Sequence, residues 1–100
     1  MTERDFQRTV IDLARLKSWM AHHCRPAVLP SGKWATHIQG DAGFFDLVLI
    51  KEGRVIFAEL KAEDGKLSKA QQAWQDAAGW PVEVYVWRPS DFDRIVEILS

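Results

Sequence analysis

An α/β domain, with a four-stranded mixed sheet flanked by helices in the order αβββαβα, is predicted by three stretches of this 100-residue chain. Residues 44 to 51 and 54 to 61 are runs rich in Val, Ile, Leu and Phe that meet at Glu52-Gly53, the pattern of a β-hairpin. Residues 6 to 20 repeat apolar side chains at helical intervals. Residues 68 to 87 pass from a cappable helix into an apolar strand, so that strand returns by a crossover and lies parallel to its predecessor. A chain of this length forms a single domain, 1–100, around one core.

The elements follow in order. Thr2 is placed to cap a first helix, with Glu3 and Asp5 favourable to its positive end. Phe6, Val10, Leu13 and Met20, widened by Ile11, Ala14 and Leu16, form its apolar stripe and place it at about residues 3 to 18. Trp19 to Cys24 is expected to be a short strand. Pro26, Pro30, Gly32, Gly40 and Gly43 then break regular structure over residues 25 to 43, with a brief extended piece at Trp34 to Ile38. After the hairpin, Asp64-Gly65 marks a turn and Ser68 caps a helix through Ala70, Gln71, Trp74 and Ala77, ended by Gly79 and Pro81. Val82 to Trp87 is a buried strand. Pro89-Ser90-Asp91 opens a last helix that returns Phe92, Ile95, Ile98 and Leu99 to the core. Helices are expected on both faces of the sheet.

At 47% hydrophobic and 27% charged, the composition is that of a globular domain, with no apolar run long enough to cross a bilayer. The polar N-terminus does not resemble a secretory signal. The single Cys24 has no internal disulfide partner, which fits a reducing compartment and makes a cytoplasmic protein the simplest expectation. A net charge of −1 excludes an overall basic balance, so attraction to a polyanion falls to local lysines and metal ions.

Chemistry concentrates where the hairpin strands carry charge. Side chains two apart on a strand share a face, so Glu59 and Lys61 lie side by side. A register centred on Glu52-Gly53 sets Asp46 opposite about residue 59. Two opposed carboxylates on one sheet repel unless something sits between them, and a divalent cation is the natural mediator. A lysine beside it suits water positioning and stabilisation of phosphate charge, which points to metal-assisted phosphodiester hydrolysis. Lys33, Lys66 and Lys69 lie in or beside loops bracketing the site and are candidate phosphate contacts, with Arg25 a candidate for the DNA groove.

Gly43-Phe44-Phe45-Asp46, then Glu59-Leu60-Lys61, then Leu67-Ser68-Lys69-Ala70-Gln71 with Trp74 a turn later, resembles the VRR-NUC branch of the PD-(D/E)XK nucleases. The likeness extends over nearly the whole chain, from the Glu3 helix to Val84-Tyr85-Val86-Trp87-Arg88-Pro89-Ser90-Asp91. The resemblance implies a restriction-endonuclease-like core. It implies that Asp46, Glu59 and the Leu60 carbonyl bind Mg2+ or Mn2+, that Lys61 orients or activates the water, and that Gln71 stands near the site. Glu3 corresponds to an additional acidic residue that reaches a metal through water. A DNA endonuclease acting on branched or junction DNA, as a homodimer in a bacterial cell or phage-infected host, is the implied activity. The family usually has proline before the aspartate; this chain has Phe45.

Two alternatives stand beside this. A nucleic-acid-binding or assembly module with a weak or inactive site keeps the fold without the reaction. Spacing alone is equally compatible with a cross-strand salt-bridge cluster, with Gln71 a solvated helix residue and Glu3 a first-turn acid. His22, His23, Cys24 and His37 lack paired zinc-ligand spacing, and ordinary packing accounts for them better.

Overall fold

The computed structural model describes residues 1–24, 27–28, 34–35 and 40–100. It is an α/β fold with three α-helices and a four-stranded mixed sheet. In chain order the elements are α1 (Glu3–Leu16), β1 (Met20–His23), β2 (Ala27–Val28), β3 (Trp34–Ala35), β4 (Leu47–Lys51), β5 (Arg54–Leu60), α2 (Lys69–Ala77), β6 (Glu83–Trp87) and α3 (Phe92–Leu99), the last preceded by a 3-10 turn at Pro89–Asp91. The main sheet runs β1-β4-β5-β6, antiparallel except for the β5–β6 pair, which is parallel and joined through α2. β2 and β3 form a separate two-stranded pair within the stretch expected to be irregular.

α1 begins as its sequence directs, with Thr2 Oγ1 accepting from the Asp5 N–H at 3.1 Å. It stops two residues short of the predicted end. Ser18 adopts φ 69°, and the N–H groups of Ser18 and Trp19 return to the carbonyls of Arg15 and Ala14. This closure is a Schellman motif, with serine in the left-handed place where glycine ordinarily signals the stop. Chain reversal at Ser18 releases Met20 to enter β1 instead of prolonging the helix.

The hairpin turn has Glu52 at φ 50° and Gly53 at φ 81°, the paired positive values of a two-residue turn whose twist matches the strands. It sets Leu47 opposite Ala58, so continuing the register places Asp46 across from Glu59, as expected. Leu47, Leu49, Ile56, Ala58 and Leu60 bury one face of the sheet with Phe6, Val10 and Ala14 of α1 and Ile95 and Leu99 of α3. α2 lies over the other face, which carries Phe57 and Glu59.

Candidate active site

Asp46 stands immediately before β4 and is tied to the sheet on both sides. Its carbonyl accepts the Cys24 N–H at 2.9 Å, which extends the β1–β4 pairing by one residue. Its carboxylate Oδ2 accepts the Leu60 N–H at 3.0 Å. Main-chain donors from two neighbouring strands therefore aim the aspartate. The residue before it, Phe45, is 1% exposed, with its ring against Phe44, Phe57 and Trp74.

Glu59 is the buried charged residue of the described fold, at 2% exposure. Its carboxyl is pushed up to about 8, chiefly by burial, then by a hydrogen bond to Asp46 and the negative charge there; Lys61 opposes the rise and Glu3 adds to it. Asp46, Lys61 and Glu3 are thus near enough to bias the Glu59 proton, and the first-helix acid comes to the same end of the sheet as the hairpin carboxylates. Lys61 follows β5 directly, its N–H donating to the Trp87 carbonyl at 2.9 Å, so the backbone bearing the ammonium continues the parallel ladder. Leu60 enters through its backbone N–H, which donates to Asp46.

Gln71 completes the group from α2. Ser68 Oγ accepts the Gln71 N–H at 3.1 Å while Gln71 Oε1 accepts the Ser68 N–H at 2.9 Å, a reciprocal capping box. With its oxygen committed to Ser68, the amide presents Nε2 to Glu59 Oε1 at 3.0 Å. The capping pattern Ser-x-x-Gln is visible in the sequence; that its glutamine also reaches a buried carboxylate is not.

Lys66 and Lys69 are exposed on the loop and first turn leading into α2. Arg88 Nη2 braces that loop by donating to the Gly65 carbonyl at 2.8 Å, and Glu63 Oε1 accepts the Ser90 N–H at 3.1 Å. Arg25, Lys33 and His37 lie outside the described residues. Sequence reasoning gave Cys24 no place at the site, yet it stands beside Asp46, and burial, reinforced by the Asp46 charge, pushes its thiol up. Only the β1–β4 register brings it there.

Among the described residues no three His, Cys, Asp or Glu side chains form a group that could hold a metal. The oxygen donors that are brought together at this end of the sheet are the carboxylates of Asp46 and Glu59. That suits a hard cation such as Mg2+ or Mn2+, which keeps several waters, and does not suit zinc. Glu3 is not grouped with these two carboxylates closely enough to ligate the same ion. Comparison of the chain with protein families, curated proteins and solved structures finds no match.

Proposed function

We propose that this chain is a Mg2+- or Mn2+-dependent endonuclease that hydrolyses DNA phosphodiester bonds, with a restriction-endonuclease-like core of the VRR-NUC type. The carrying observation is that Glu59 is buried against a second carboxylate, with Gln71 donating to it and Lys61 beside it. A core that served stability alone gains nothing from a carboxyl pair in that position. When bound, the cation supplies charge neutralisation and a more acidic water at the scissile phosphate. Asp46 and Glu59 hold it, with the Leu60 carbonyl and Glu3, through water, in supporting roles. Lys61 orients the attacking water and stabilises phosphate charge. Gln71 keeps the Glu59 carboxylate in place.

Branched or junction DNA is the proposed substrate, in the cytoplasm of a bacterial or phage-infected cell. A homodimer is the proposed working form. It is supported by Met20 and Ile50, apolar partners across β1 and β4 that are 77% and 45% exposed. No helix among the described residues is long and apolar enough to cross a membrane.

A binding or assembly module with a weak site is the second reading. It is favoured by the hydrogen bonds that already engage Asp46 and Glu59, since a proton held between carboxylates competes with a cation. The two are separated by incubating the protein with plasmid and junction DNA in Mg2+, Mn2+ or EDTA. Metal-dependent cleavage is expected, with Lys61→Ala slower by about 10²-fold or more. No cleavage with either metal, or a Lys61→Ala protein as fast as wild type, removes the nuclease assignment.

A further inference from the structure

The sheet face that carries Glu59 is covered unevenly. Alternation along β5 puts Phe57 on the same side as Glu59, and the strand registers set Val48 and then His22 beside Phe57. α2 reaches this face through Gln71, which donates to Glu59, and through Trp74, which meets Phe44. Towards β1, Val48 is half-buried and His22 exposed, so that half of the face gives onto solvent. Phe44 stands at the boundary between the halves. Its ring meets Phe57 with centroids 5.5 Å apart and Trp74 at 5.0 Å, both edge-on. Phe57 precedes Glu59 by one side-chain repeat of the strand, about 7 Å, so the ring of Phe44 lies beside the carboxylate pair and on the same face. With three ring neighbours it is nevertheless 38% exposed, whereas the adjoining Phe45 is 1% exposed. Phe45 anchors the aromatic group from inside; the anchor gains nothing from leaving a second ring in water next to Asp46.

We infer that Phe44 is a stacking platform for an unpaired base of the DNA strand that enters the Glu59 site, so that the substrate class is DNA with an unpaired nucleotide beside the scissile phosphate. This assignment rests on the nuclease reading and deepens it. Every base presents a π-face, so an exposed aromatic ring holds a base without regard to sequence. In a continuous duplex those faces are occupied by neighbouring base pairs, whereas at a branch or flap they are free, and only such a base reaches the ring without the cost of unstacking. A strand with its phosphate at Asp46 and Glu59 passes Phe44, which precedes Asp46 by two residues. Stacking also adds affinity without positive charge, which suits a chain whose net charge is −1.

The test is fluorescence-anisotropy binding by the full chain in EDTA of a labelled fork with unpaired arms, of a fully paired duplex of equal length, and of forks lacking the base at each nucleotide next to the branch in turn. Wild type is expected to prefer the fork, and to lose about 5- to 150-fold in affinity when one particular base is missing, the range of a single base–aromatic contact. Phe44→Leu keeps an apolar side chain against Phe57 and Trp74. It is expected to lose the same factor on the intact fork, to lose nothing further on that abasic fork, and to bind the duplex as wild type does. Phe44→Trp is expected to restore the fork preference. A thermal melt verifies that Phe44→Leu stays folded. Wild type that binds every abasic fork as tightly as the intact one overturns the inference, a result that needs no variant. A folded Phe44→Leu protein with wild-type fork affinity, or one weakened equally on fork and duplex, overturns it too. If wild type shows the Phe44-dependent base contact but cleaves nothing in Mg2+ or Mn2+, the nuclease reading falls and the platform stands. If wild type cleaves and Phe44→Leu binds the fork as well as wild type, the platform alone falls.

Discussion

Gln71 performs two tasks with one amide. Its oxygen closes the cap of α2 and its nitrogen holds Glu59. A glutamate would close the cap as well, so the choice of glutamine is explained by the donor it offers the carboxylate. If Glu59 holds the proposed cation, Gln71→Glu is expected to keep the cap but set a third carboxylate against Glu59, and so to melt below wild type and cleave about 10–100-fold more slowly. Gln71→Ala loses the cap side chain and the donor but adds no charge, and is expected to cost about 1 kcal/mol in stability. Thermal melts and initial rates of plasmid cleavage, measured on both variants, distinguish the two tasks.

The aim of Asp46 depends on residues distant in the chain. Cys24 and Leu60 offer it main-chain donors, and neither contribution can be read from residue type, because an N–H is common to almost every residue. What the sequence does carry is the even spacing about Glu52-Gly53, which is enough to bring Asp46 opposite Glu59.

At the level of elements, α2 has no fully buried residue of its own and relies on its attachments. Trp74 packs edge-on against Phe44, with ring centroids 5.0 Å apart, and donates Nε1 to the Ala42 carbonyl at 3.0 Å. Gly43 permits this approach: its φ is 93°, and a Cβ there would stand 2.5 Å from the Ala70 carbonyl carbon. Phe45 is the root of the same aromatic group. Replacing it with proline is expected to damage the protein, since it empties a buried aromatic site. Phe45→Pro should lose about 3–5 kcal/mol by denaturant titration, comparable to a large-to-small core substitution. Stability equal to wild type would show that the ring does not anchor α2. The existence of α2 was legible from Ser68 and its apolar spacing. Its seat was not, because four aromatic rings from separate stretches make it.

Over the whole molecule, the Glu59 proton couples the site to folding. In the folded chain its carboxyl lies near 8, whereas an unfolded glutamate titrates near about 4.3. The folded state binds this proton more tightly, so the stability it contributes is full below about pH 4.3 and is lost as pH rises through about 8. In EDTA, the melting temperature of wild type relative to Glu59→Gln is expected to fall between pH 5 and pH 9. Several degrees are readable, since 1 kcal/mol shifts a domain of this size by about 4–8 °C. If Glu59 holds the proposed cation, added Mg2+ or Mn2+ at the alkaline end should recover stability in wild type and leave Glu59→Gln unmoved. A pH profile identical in the two proteins would show that Glu59 carries no such proton.

The sequence by itself determined the α/β class with its four-stranded mixed sheet, the hairpin register and the two carboxylates that face each other across it. Those features follow from local periodicity, a two-residue turn and simple counting, all of which act over short stretches of chain. It misplaced the end of α1 because Ser18 adopts a conformation that residue type does not announce. Only the tertiary structure decided that Cys24 and Leu60 clamp Asp46 and that Phe45 belongs to an aromatic anchor. These are contacts between residues far apart in sequence, fixed by how helices settle on the two faces of the sheet, and no local pattern encodes that choice.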